Sequence, residues 1–395
     1  MRKLFPGVMI FLVLSIYSGA QDSQVLLNTF QRNFQRAEQI EIKLKILEDS
    51  VKAGPEGLGP LYLNAVDYVI DHSSLLATDA LVIKLAHISV EQIRVIEYTQ
   101  AANSMWRLFK ETEDTVLRAG ILKTLGVIAG GNDTIARRII EWLDSQNSLL
   151  KAGGKPDLPV IPEAVAALGI LKNNTAFSVI FTTMEIYSQE SIRNAARKAL
   201  LSLEGDYKEN LMKVVREGTL VERFAALKMG LNDGKLSDLD KAEIAEAGLE
   251  VGVYTTTGNK QDQATNREMR MVAVQALSKS NWSRATPLVI EHFGMALLEY
   301  ERSVVSKGFL LDAINGLGNM QTHEAAERLA LYLELINSYT EHGRAYDEQI
   351  VLAVLANLKI LGDKVAFANL SYTQYLNYSD TVKAVAQDAI DHLKW

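Results

Sequence analysis

The chain has 395 residues, a formal net charge of −7 and no cysteine. That composition excludes disulfides, thiolate metal sites and a cysteine nucleophile, and the acidic balance argues against nucleic acid or an anionic membrane as the main partner. Only 7 prolines and 7% aromatics among 48% hydrophobic residues favour helices packed through small side chains over a sandwich of many turns.

In chain order, Arg2 and Lys3 precede an apolar stretch through Val8, Ile10, Leu12 and Leu14, and Ser18-Gly19-Ala20 puts small residues where a signal peptidase reads them. Residues 1–20 are therefore expected to be a signal peptide cleaved after Ala20. The rival, an uncleaved anchor, is disfavoured because the apolar core is shorter than the ~20 residues a span needs. Cleavage removes two basic residues, Arg2 and Lys3, and no acidic one. The product is expected to be exported, periplasmic or secreted, with no integral membrane segment.

Leu26, Phe30, Phe34, Ala37, Ile40, Leu44 and Leu47 step by three and four, which predicts one long helix with a polar outer face. Gly54-Pro55-Glu56-Gly57-Leu58-Gly59-Pro60 ends it, and segments near 61–72 and 76–88 form the next pair. Residues 21–95 are thus expected to be an N-terminal helical cap and residues 96–395 a repeat array. Within the array, Ala129-Gly130-Gly131 stops one helix and Asn132-Asp133-Thr134 caps the next. Thr219 and Glu222 have capping-box spacing. The run from Thr255 to Gln263 reads as a polar loop insertion, and Asp380 as the cap of the last helix.

The array is legible because one phrase returns. Glu163-Ala164-Val165-Ala166-Ala167-Leu168-Gly169 has counterparts around Leu125, Leu200, Leu227, Leu277, Leu317 and Leu358, and a looser one around Ile390. Small residues let two helix backbones approach, and the leucine fills the seam. Ala353 to Asp363, with the helix start at Asp380-Thr381-Val382, resembles HEAT repeats, and the likeness extends from about Glu97 to the C-terminus. The resemblance implies an all-α fold: a right-handed α-α superhelix, a HEAT-like solenoid of stacked helical hairpins, with the second helix of each pair on the inner face. It implies no chemistry, since such repeats serve many tasks.

The six histidines have no His-x-x-x-His or His-Glu-x-x-His spacing, and neither a nucleophile elbow nor a phosphate-cradling loop occurs. Glu243, Glu246 and Glu250 step by three and four as one solvated helix face. No catalytic, metal-binding or cofactor-binding residue is expected. Two surfaces are candidates for a partner. One is a basic ridge of Arg193, Arg197, Lys198, Arg223, Arg267 and Arg270, weighed against a solvated face paired with Glu190, Glu222 and Glu268. The other is a tyrosine cluster in which Tyr372 and Tyr375 stand out beside Tyr332, Tyr339, Tyr346 and Tyr378, weighed against core packing. Sequons at Asn132, Asn173, Asn281, Asn369 and Asn377 read as chance.

These observations lead us to expect a non-enzymatic exported scaffold or adaptor that engages another envelope or periplasmic protein, needs no cofactor and does not bind nucleic acid. The alternatives are an envelope glycan or polymer-binding module and, behind it, a helical hydrolase, which would need two carboxylates brought to ~5–10 Å by folding.

Overall fold

The computed structural model describes residues 24–344 and 346–394; the expected signal peptide lies outside the described residues. Two compact units divide after Gly205. The first contains α1 (24–36), α2 (Ile40–Ala53), α3 (Gly59–Asp71), α4 (Ala80–Val95), α5 (Ala102–Glu111), α6 (Thr115–Ile128), α7 (Asp133–Lys151), α8 (Ile161–Leu171), α9 (Phe177–Ile186) and α10 (Glu190–Leu200). The second contains α11 (Tyr207–Glu217), α12 (Leu220–Asn232), α13 (Asp238–Tyr254), α14 (Lys260–Lys279), α15 (Thr286–Glu301), α16 (Lys307–Gly318), α17 (His323–Glu341), α18 (Glu348–Leu361), α19 (Phe367–Thr373) and α20 (Asp380–Asp391). Among the described residues there is no strand, only one isolated bridge between Asp363 and Lys394.

Each unit is an all-α solenoid of stacked hairpins. Odd-numbered helices pack on the following even-numbered ones, and each row also stacks on itself, α4 on α6 on α8 on α10 in the first unit and α12 on α14 on α16 on α18 on α20 in the second. Every copy of the recurrent phrase falls on an even-numbered helix. Its leucines are fully buried at Leu125, Leu168, Leu227, Leu277, Leu317 and Leu358, each contributing about 1.5–3 kcal/mol of burial. The small residues hold the seam closed. A Cβ added to Gly126 would lie 3.1 Å from the Ala167 Cα, and one added to Gly169 would lie 2.9 Å from the Ala199 Cα. No larger residue fits there without moving a backbone.

One sequence expectation changes. The long first helix breaks between α1 and α2, because the buried Lys43 turns back to donate its Nζ to the Phe34 carbonyl at 2.6 Å and stacks over the Phe34 and Tyr68 rings. Within residues 21–95, α2 and α4 stand in one row with α6. The insertion expected at Thr255–Gln263 is a loop over residues 255–259, since α13 runs to Tyr254 and α14 begins at Lys260; most of the extra length lies in these two long helices. Smaller features follow the sequence closely. Thr219 and Glu222 form both bonds of a capping box, Asn132 caps α7, and α20 is capped by Ser379, one residue before Asp380. Gly362 ends α18 in the left-handed region at φ 62.

Candidate interaction surface

Near the C-terminal ends of three helices of one row in the first unit, aliphatic side chains reach the surface: Val127 on α6, Ile170 on α8 and Leu201 just after α10. These aliphatic side chains are 38%, 56% and 55% exposed. The Ile170 Cδ1 lies 3.5 Å from the place a Gly126 Cβ would occupy, and the Ser202 hydroxyl donates to the Gly169 carbonyl at 3.0 Å. Val127, Ile170 and Leu201 thus lie at the same end of α6, α8 and α10. Charges between them are partly cancelled, as by Lys123 and Glu163 at 3.3 Å.

Of the ridge expected from sequence, Arg193, Arg197 and Lys198 are exposed on α10. Arg197 donates to Asn194 Oδ1 at 2.9 Å on its own helix, and none of the three is held in an ion pair. The other members belong to the second unit and differ from the expectation. Arg223 is half-buried and donates to the Thr255 hydroxyl at 3.2 Å, and Arg267 is half-buried. Arg270 is a correction: it is 1% exposed and points into the stack. Its Nη2 donates to the Glu299 carboxylate at 3.0 and 3.3 Å and its Nη1 to Met295 Sδ at 3.1 Å. A Cβ on Gly252 would lie 2.6 Å from the Arg270 Cγ, so that glycine makes room for its stem. Burial lowers the guanidinium's pKa while Glu299 opposes the shift. The carboxylates weighed as partners of the ridge are otherwise engaged at Glu222, which completes the capping box with Thr219.

The tyrosines divide as well. Tyr332 is buried and bonds the Tyr346 hydroxyl at 2.8 Å; burial and that bond raise its pKa. Tyr378 donates to Asn337 Oδ1 at 3.0 Å. Tyr372 is 40% exposed and donates to Glu341 at 2.7 Å, and Tyr375 is 84% exposed. Tyr372 and Tyr375 thus remain on the surface while their neighbours build the core.

Glu243, Glu246 and Glu250 do not form a freely solvated face. With Glu209, Arg216 and Arg284 they line a cleft of about 490 Å³ across α11, α13 and the start of α15. Glu246 accepts from Trp282 Nε1 at 2.8 Å and from Arg284 Nε at 2.9 Å, and Glu243 pairs with Lys208, raising the pKa of that lysine. Glu243 and Glu246 are thus engaged in ion pairs, while Glu250 is exposed. Among the described residues no group of three or more histidine, aspartate or glutamate side chains is arranged to hold a metal ion, and no helix is long and apolar enough to cross a membrane.

Sequence reasoning missed Val127, Ile170 and Leu201. Their signal was an aliphatic residue one or two places after the leucine of the repeated phrase. No protein-family model matches the chain, and no curated protein matches it.

Proposed function

We propose that the chain is a non-enzymatic scaffold of the HEAT type, exported to the periplasm or cell envelope, where it holds another protein. The observation that carries this reading is the set of Val127, Ile170 and Leu201, three exposed aliphatic side chains at or just past the C-terminal ends of α6, α8 and α10. Scattered exposed leucines need no explanation, but exposed aliphatic residues at the same end of three stacked helices, beside charged groups, have the composition of a protein-binding face. The array can present such a face rigidly, because each helix is fixed by the one before it. In the second unit, Glu243 and Glu246 pair with Lys208 and Arg284 and so tie neighbouring helices together.

A photo-cross-linking residue placed at position 170 tests this. In envelope extract it is expected to trap a protein that the same residue at Leu149, exposed on α7, does not trap, and unlabelled wild-type chain should compete while the variant with Ile170→Asp and Leu201→Asp should not. Equal trapping from both positions contradicts the reading. A saccharide-dependent rise in Tm with no protein trapped supports an envelope-polymer module in its place.

A further inference from the structure

A second cleft of the second unit carries a chemistry that the scaffold reading does not use. We infer that it binds a small organic anion with an apolar body, its anionic head held by Lys241 and Lys279 and its hydrocarbon part laid against Leu231, Leu239 and Trp282. The cleft belongs to the second unit and the exposed aliphatic residues to the first, so this site is tested apart from the scaffold.

Where the C-terminal ends of α12 and α14 meet the start of α13, a cleft of about 610 Å³ opens, a volume within the ~300–1,000 Å³ range of small-molecule sites. Its apolar wall comes from Leu231, half-buried, and Leu239, which is 55% exposed in the first turn of α13. Trp282 adds to that wall and is held in place by three contacts. Its backbone N–H donates to the Leu277 carbonyl at 3.1 Å, just after Asn281 has turned the chain through the left-handed region at φ 50. Its Nε1 donates to Glu246 Oε2 at 2.8 Å. The Arg284 guanidinium, whose Nε is bonded to the same oxygen at 2.9 Å, lies 4.8 Å from the ring centroid. A half-buried tryptophan fixed in this way has little freedom left to lose when a ligand covers the rest of its ring, and such preorganised aromatic side chains make strong anchors.

Charge sets the sign of the ligand. The carboxylates closest to Lys241 in the sequence of α13, Asp240 and Glu243, are both taken by Lys208, and Asp240 also closes a capping box with Ser237. Lys241 and Lys279 are in no ion pair among the described residues. Asp238 is the one carboxylate among the described residues lining the cleft, and in the first turn of α13 it offsets the positive end of the helix. Two unpaired ammonium groups against that carboxylate favour an anion, in a chain whose net charge is −7. A cation of the same shape would be repelled. The lysine stems are apolar as well, so each can lie along the hydrocarbon while its head meets the charge.

Calorimetric titration of the full chain with three probes of equal length, octanoate, octan-1-ol and octylamine, tests the site. Octanoate is expected to bind at one site at least tenfold more tightly than octan-1-ol, and octylamine not to bind. The chain with Lys241→Glu and Lys279→Glu is expected to lose octanoate affinity about tenfold and to admit octylamine, and Leu239→Asp to weaken octanoate as well. Octanoate should change the tryptophan emission of the wild-type chain and leave that of the Trp282→Phe chain unchanged. Equal binding of the three probes, or an octanoate affinity unmoved by the charge reversal, overturns the inference, because the apolar wall would then act alone. An emission response that survives Trp282→Phe, or no saturable binding of octanoate, overturns it too. So does sedimentation with phosphatidylglycerol vesicles, lost on charge reversal, when octanoate does not bind in solution; that result assigns the lysines to a lipid surface. Circular dichroism and Tm of each variant separate loss of binding from loss of fold. None of these outcomes bears on what is trapped at position 170, so the scaffold reading fails or stands by its own test.

Discussion

The buried side chain of Asn147 on α7 donates its amide to the hydroxyl of Thr183 on α9 at 3.0 Å and to the Val179 carbonyl at 3.2 Å, while Thr183 donates to that same carbonyl at 2.8 Å. The second unit repeats this clasp. Asn337 on α17 donates to the Asn369 carbonyl at 3.0 Å, to which Thr373 on α19 also donates at 3.0 Å. In both units an asparagine on one odd-numbered helix thus reaches a carbonyl, four residues before a threonine, on the next. Even-numbered helices are held by small residues and leucine; at these two steps the odd-numbered row is tied by a buried hydrogen-bond cluster.

Breaking the clasp leaves polar groups unpaired in the interior, so Asn147→Ala is expected to destabilise the chain by about 1–3 kcal/mol. Combining it with Thr183→Val should cost less than the two single changes together, because both remove bonds to the same carbonyl. Urea unfolding of the four chains of the cycle measures this. Strict additivity would mean that the two side chains act independently.

Glycines in the seam should respond by position. Gly169→Ala forces a methyl against the Ala199 backbone and is expected to destabilise by about 1–3 kcal/mol. Gly120→Ala, on the adjoining helix α6, meets only Val90 Cγ1 at an ordinary 3.8 Å and should stabilise by about 0.5–1 kcal/mol through helix propensity. Thermal unfolding of the two variants checks the opposite signs.

His292 gives the second unit a pH dependence. It is fully buried, its ring centroid 5.8 Å from that of Phe309, and burial with the nearby Arg270 cation lowers its pKa from 6.5 to about 3. The unfolded chain therefore binds a proton that the folded chain refuses. Stability that is complete above pH 6.5 is expected to fall as the pH drops toward 3, by up to about 1.4 kcal/mol per pH unit from this group. His323 has the opposite sign, since Asp363 at 2.8 Å raises its pKa and its contribution is lost as the pH rises. His292→Leu should flatten the acid limb of a stability-against-pH curve; an unchanged limb would assign it to carboxylates elsewhere.

Removing one partner of the Arg270–Glu299 pair is expected to be costly, because Arg270 is enclosed. Glu299→Leu should destabilise by about 3–5 kcal/mol, and adding Arg270→Met should recover much of that loss. Equilibrium unfolding distinguishes this from a surface pair, whose loss would cost under about 1 kcal/mol.

Much of this architecture was legible in the sequence, and for a local reason. The phrase around Leu168 and its copies repeat because each even-numbered helix faces the same neighbour, so packing writes a period into the chain. The break after Phe34 was hidden because its cause, the reach of Lys43 to a carbonyl, leaves the three-and-four pattern of apolar residues intact. Arg270 was placed on the surface because its partner Glu299 lies 29 residues away, and a helical arginine reads as exposed until that carboxylate is seen. Asn147 and Asn337 drew no notice for the same reason. The exposed aliphatic residues were missed because Val127, Ile170 and Leu201 looked like ordinary members of apolar stretches; only the fold shows that they reach the surface.

Amide hydrogen exchange of the full chain, with and without the protein trapped through position 170, tests the central claim most directly. Slowed exchange at the ends of α6, α8 and α10, abolished by Ile170→Asp with Leu201→Asp, is the predicted result. Protection confined to the odd-numbered helices, or to the second unit, would contradict it.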